Sequence, residues 1–128
     1  MDHNGFAELL DQLARSWSSK SYEEVASRFT ERLYYSDAIN YSFFDRESLL
    51  DFFRDDGGHE QSCVFHDHVF DVGRQIGVAE YTYSGHYIYH GTVWIELEGD
   101  MISVWREYQH RADTSYESFW KLDERDHP

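Results

Sequence analysis

The dominant hydrophobic period of the chain changes at Gly57-Gly58, and that change limits the fold more than any single motif. Before the glycine pair, apolar side chains recur every three or four residues, the repeat of a helix with one buried face. After it, Val, Tyr, Phe, Thr and Trp alternate with polar residues, the repeat of a strand. Phe6, Leu9, Leu10, Leu13 and Trp17 place an amphipathic helix over about 3–18. Ser21 and Glu24 have the S-x-x-E spacing of a capping box and open a second helix with Tyr22, Val25, Ala26 and Phe29 on one face. "RLYYSDAINYSFF" is β-prone and starts as a short strand ending near Asp37. Asp45 is an N-cap for a third helix bearing Leu49, Leu50, Phe52 and Phe53, which Gly57-Gly58 stops.

Four strands follow, over roughly 61–72, 76–85, 87–98 and 101–110, punctuated by Gly73, Gly77, Gly85, Gly91 and Gly99. "TSYESFWKLDE" adds a helical turn with Tyr116, Phe119 and Trp120 as its apolar side, and "RDHP" frays. Helices first and a meander of strands afterwards make an α+β fold, with the helices packed on one face of a mostly antiparallel sheet. No linker or repeat divides the 128 residues, so residues 1–128 read as a single domain with about 111–128 as a C-terminal extension.

Aromatic residues make up 18% of the chain, more than a minimal core needs, which points to a cavity or an interface. The net charge of −14, with two lysines against nine arginines, argues against nucleic acid or an anionic membrane as a partner. Cys63 is the single cysteine, which excludes an internal disulfide and thiolate zinc sites. Met1-Asp2-His3-Asn4-Gly5 has no basic segment followed by an apolar run, and no stretch has the length of a membrane span. A cytoplasmic protein is the default expectation.

In "HGTVWIELEGDMISVWREYQH" alternation puts Ser103, Trp105, Glu107 and Gln109 on one side of the last strand and Ile102, Val104, Arg106 and Tyr108 on the other. A carboxylate beside an indole on a face that must be buried is a candidate acid or base, because desolvation raises its pKa toward neutrality. Structural roles are the alternative: an ion pair with Arg111 for Glu107, a turn or cap for Asp37. "VFHDHVF" places His66 and His68 on one strand face, a workable metal geometry if His90 or Glu80 supplies a third ligand. Otherwise they are pocket hydrogen-bonding groups or ordinary histidines. Tyr81 and Tyr83 share a face, as packing or as a cavity wall. No glycine-rich phosphate loop, nucleophile elbow or C-x-x-C is present, so nucleotide cofactors and covalent catalysis have no support.

The order of elements, with "RFTERLYYSD", "DRESLLDFF" and "GDMISVWREYQ", resembles the SnoaL-like branch of the NTF2-like superfamily from Leu13 to Gln109. That resemblance implies an NTF2-like (cystatin-like) cone, with three N-terminal helices packed on a curved sheet around a deep apolar pocket. Asp37 falls where ketosteroid isomerase-like members place a general base, and Glu107 where limonene epoxide hydrolase-like members place a catalytic carboxylate. Neither set is complete. The isomerase's oxyanion-hole acid falls on Val93 and its first-helix tyrosine near Leu13; the hydrolase's arginine and second aspartate fall on Tyr81 and Tyr83. The tyrosine-aspartate pair of scytalone dehydratase is replaced by Trp17-Ser18.

The expectation is therefore a pocket lined by Trp17, Tyr35, Tyr81, Tyr83 and Trp105 that takes a small, largely apolar, aromatic or polycyclic molecule. Asp37 or Glu107 would move protons with His66 assisting, without metal or cofactor. The alternative is a non-catalytic binding or interaction module. A homodimer is expected through the sheet face opposite the pocket, because Ile102, Val104 and Tyr108 give that face large apolar groups.

Overall fold

The computed structural model describes residues 1–124, so the end expected to fray, Arg125 to Pro128, lies outside the described residues. Helix α1 (His3–Ser18) is capped by the Asp2 carboxylate, which accepts from the Gly5 N–H, and buries Phe6, Leu9, Leu10, Leu13 and Trp17 as its spacing predicts. Helix α2 (Tyr22–Ser27) leads into β1 (Phe29–Asp37), β2 (Tyr41–Asp45) and α3 (Arg46–Arg54). Strands β3 (Ser62–Asp71), β4 (Ile76–Ser84), β5 (Ile88–Glu98) and β6 (Met101–Arg111) follow, then one turn of helix, α4 (Tyr116–Phe119). The six strands form one sheet in the order β2-β1-β6-β5-β4-β3. Only β1 and β6 run parallel; the other neighbours are antiparallel. The three N-terminal helices cover one face, so the α+β architecture expected from the period change is the one observed.

Asp45 caps α3 as expected, accepting from the Ser48 N–H at 2.7 Å. The capping box at Ser21 does not form. Ser21 Oγ lies 2.9 Å from Ser19 Oγ, and Glu24 accepts from Ser16 instead, so α2 starts without a side-chain cap. Phe29 is a second correction: it begins β1 and sits fully buried between helices and sheet. The β-prone stretch is longer than one short strand, because residues after the Asp37 turn return as β2 and pair with β1.

Two bulges change faces that strict alternation had assigned. On β6, Ile102 pairs with Leu97 and Val104 with Glu96, leaving Ser103 as the extra residue. Ile102 is thereby turned into the core, away from the Val104 side, and is fully buried. On β3 the register slips between Phe65 and His68. His68 then packs against Phe6 of α1, while His66 stands on the opposite face against Tyr116. The expected shared face for His66 and His68 does not exist.

Close packing at the narrow end depends on Gly77. A Cβ there would come within 2.2 Å of the Phe6 ring, which itself stacks on Phe70 at 4.5 Å. Core side chains of this size stabilise by about 1.5–3 kcal/mol each when withdrawn from water. At the wide end the aromatic side chains do not close up, and a cavity remains. Among the described residues no helix is long and apolar enough to cross a membrane.

Candidate functional site

The cavity has a volume of about 360 Å³, at the small end of ligand pockets. Trp17 of α1, Tyr35 of β1, Tyr81 and Tyr83 of β4, and Trp105 and Glu107 of β6 all line it. For the strand residues the reason is register, and for Trp17 it is the buried stripe of α1. Parallel pairing sets Tyr35 beside Trp105 with ring planes 1° apart, and sets Asp37 beside Glu107. Sequence reading missed Tyr41 of β2, Phe52 and Phe53 of α3, Phe65 and Cys63 of β3, and Gln109, which also line it. Gln109 was visible in principle, being on the Trp105 side of the β6 alternation.

Glu107 is buried in the cavity wall. Its Oε1 accepts from the Tyr35 hydroxyl at 2.7 Å and from the Trp105 Nε1–H at 2.8 Å, and its Oε2 accepts from the Tyr41 hydroxyl. A carboxylate offers about four acceptor positions, so three donors leave one, on Oε2. Burial holds the Glu107 carboxyl above the usual range; the hydrogen bonds from Tyr41, Tyr35 and Trp105 oppose this, and neighbouring Asp37 adds to it. The expected alternative of an ion pair with Arg111 is not what forms, since Arg111 lies 3.6 Å from Asp113. Among the described residues no Lys, Arg or His lines the cavity.

Asp37 is buried but is not among the lining residues. Its Oδ1 accepts from the Ile39 N–H at 3.1 Å and its Oδ2 from Asn40 Nδ2 at 3.0 Å, so it holds the β1–β2 turn. It reaches the cavity lining through Asn40 and through Gln109, whose Nε2 donates to Asp37 at 3.3 Å and whose Oε1 accepts from Tyr81. Burial pushes the Cys63 thiol up to about 12 and the Tyr83 phenol, which donates to Gln61, also up to about 12. Burial likewise raises the Tyr35, Tyr41 and Tyr81 phenols. All of these groups are therefore neutral donors at physiological pH.

At the rim, Asp56 accepts from the Tyr22 hydroxyl at 2.6 Å and from the Gly58 N–H at 2.8 Å, and pairs with Lys20 at 3.3 Å. The Tyr22 hydrogen bond leads in lowering its carboxyl to about 2. Asp55 and Asn40 complete an exposed mouth.

His66 is outside this site. Its Nε2 lies 2.7 Å from Thr82 Oγ1, which lies 2.9 Å from Nδ1 of buried His90, whose Nε2 lies 2.8 Å from the Thr114 carbonyl. The carbonyl can only accept, so His90 Nε2 carries a proton; with Nδ1 as the acceptor, Thr82 donates to it and His66 Nε2–H donates to Thr82. Burial lowers the His66 pKa, in keeping with a neutral ring. With Tyr116 on His66 and Phe119 on His90, this chain fastens the C-terminal segment to the outer sheet face. Among the described residues no three His, Cys, Asp or Glu side chains converge to hold a metal ion.

Solved structures share this architecture. An LEH-like epoxide hydrolase from M. tuberculosis superposes with a TM-score of 0.70 at 13% identity, covering 80% of each chain. A candidate ketosteroid isomerase from Kribbella flavida gives 0.72 at 13% identity, over 88% of this chain and 82% of the other. An NTF2-like protein of unknown function from Cytophaga hutchinsonii gives 0.69 at 10% identity, over 81% and 88%. The chain has the NTF2-like, cystatin-like fold. No protein-family model matches the sequence, and no curated protein sequence does.

Proposed function

We propose that the cavity binds a small, largely apolar or aromatic molecule and that Glu107 exchanges a proton with it, without a metal or cofactor. The observation that carries this reading is a buried carboxylate held by three donors, with one acceptor position left, in the wall of an aromatic-lined cavity. The donors fix its orientation, and burial brings its proton affinity toward the range useful for general acid–base catalysis. Tyr81 and Gln109 stand beside it as neutral hydrogen-bonding groups. Isomerisation, cyclisation, dehydration and hydrolysis all fit such a site. The fold neighbours, one an epoxide hydrolase-like protein and one a candidate isomerase, are consistent with that range. Asp37 acts by setting the turn and Gln109, and His66 takes no part.

The general-base probe 5-nitrobenzisoxazole tests this, because any desolvated carboxylate that reaches its ring C–H removes that proton. Catalysis above the rate with free acetate is expected, lost in Glu107→Gln and retained in Asp37→Asn. Equal rates for the Glu107→Gln variant and the parent would refute a proton-handling role and leave a plain binding module.

The outer sheet face supports the homodimer reading. Tyr34, Phe44 and Tyr108 are exposed there, Val104 lies beside Tyr34, and Arg106 Nε is buried without a hydrogen-bond partner among the described residues. A second copy across this face would cover the apolar groups. Sedimentation equilibrium should give twice the 15.3 kDa chain mass, falling to one chain in Val104→Arg. A single-chain mass for the parent would refute it.

A further inference from the structure

The cavity combines three properties that together narrow its ligand. Its wall is aromatic, with Trp17, Tyr41, Phe53, Tyr81 and Trp105 lining it together with Glu107. Its ionisable lining is acidic, with Glu107 inside and Asp55 and Asp56 at the mouth; among the described residues no cation lines it, and Lys20, which is not a lining residue, is paired with Asp56. The Glu107 carboxylate has hydrogen-bond donors but no counter-charge, and one acceptor position on Oε2 is unfilled. An anionic ligand would meet an uncompensated carboxylate in a water-poor site. A neutral apolar ligand would leave that carboxylate buried without a counter-charge, or protonated.

We infer that the ligand is an organic ammonium ion, a protonated or quaternary amine on an apolar or aromatic body, with its cationic head against Glu107 and the surrounding rings. This rests on the reading of the cavity as a ligand site and names the class of ligand. Ring faces attract a cation through their quadrupole, and they do so more strongly in a desolvated enclosure than at the surface. The carboxylate adds a full opposite charge at a point where water screens little. A protonated amine would also donate its N–H to the open position on Oε2. The net charge of −14 favours approach of a cation from solution.

Two cation and carbon-isostere pairs test the inference by titration calorimetry on the whole protein: benzyltrimethylammonium against neopentylbenzene, and choline against 3,3-dimethylbutan-1-ol. Within each pair the shape is the same and only the charge differs. The cation of at least one pair should bind about tenfold or more tightly than its isostere, and Glu107→Gln should abolish most of that preference. If the isosteres bind as well as or better than the cations, the ammonium assignment is wrong while the cavity remains a ligand site. If none of the four binds, both readings fall. The comparison within the parent protein does not depend on the variant folding.

Discussion

Tyr41→Phe isolates one of the three bonds that hold Glu107. The phenyl ring keeps its contacts with Tyr35 at 6.2 Å and Phe52 at 4.8 Å, so the loss is confined to the hydroxyl, which donates to Oε2 and accepts a long bond from Gln109 Nε2 at 3.4 Å. A hydrogen bond to a charged acceptor is worth about 1.5–3 kcal/mol and one to a neutral group about 0.5–1.5 kcal/mol. The variant should therefore lose about 1 kcal/mol more stability where Glu107 is ionised than where it is protonated. The sign follows from linkage. Because burial raises the folded carboxyl above its unfolded value, the Glu107 contribution is fully present below the unfolded pKa and is lost as pH rises through the folded one. Removing a donor to the ionised form raises the folded value again, so the variant starts to lose stability from the same unfolded value but goes on losing it to a higher pH. Urea unfolding of both proteins at an acidic and an alkaline pH measures the difference, and a ¹³C titration of the Glu107 carboxyl carbon tracks the midpoint. The same stability deficit at both pH values, with an unmoved midpoint, would show that Tyr41 does not hold the ionised carboxylate.

Gly77→Ala should cost about 1–3 kcal/mol by denaturant unfolding, because its methyl group would enter the Phe6 ring; an unchanged midpoint would refute the close contact. His90→Ala should release the C-terminal segment, seen as faster amide exchange over residues 112–119 with the cavity probes unaffected, since His90 reaches Thr114 and Phe119 but not the cavity. Asp37→Asn should leave probe binding nearly unchanged while loosening the 37–40 turn, and a loss of binding comparable to that of Glu107→Gln would return Asp37 to the site.

The architecture was legible because each helix and long strand carries its own period: the Phe6 to Trp17 stripe and the Tyr81–Tyr83 and Trp105–Glu107 alternations all survive in the fold. What misled was local. Alternation has no memory of a bulge, so Ile102 and His66 were placed on faces from which one extra residue removes them. Tyr41 was missed because β2 is short, and it becomes a strand only by pairing with β1 across the Asp37 turn. The same turn explains Asp37, an acid in the expected position whose oxygens its own loop consumes. Phe29 was ambiguous because an apolar residue at a helix end satisfies either period.

The most direct measurement is a crystal structure of the protein soaked with benzyltrimethylammonium and, separately, with neopentylbenzene. The expected result is density for at least one of them inside the cavity, beside the Trp105 and Tyr41 rings and in contact with Glu107 Oε2, with Asp37 still bound to Ile39 and Asn40. Density for neither compound, or density only on the outer sheet face with Glu107 turned away from the cavity, would contradict it.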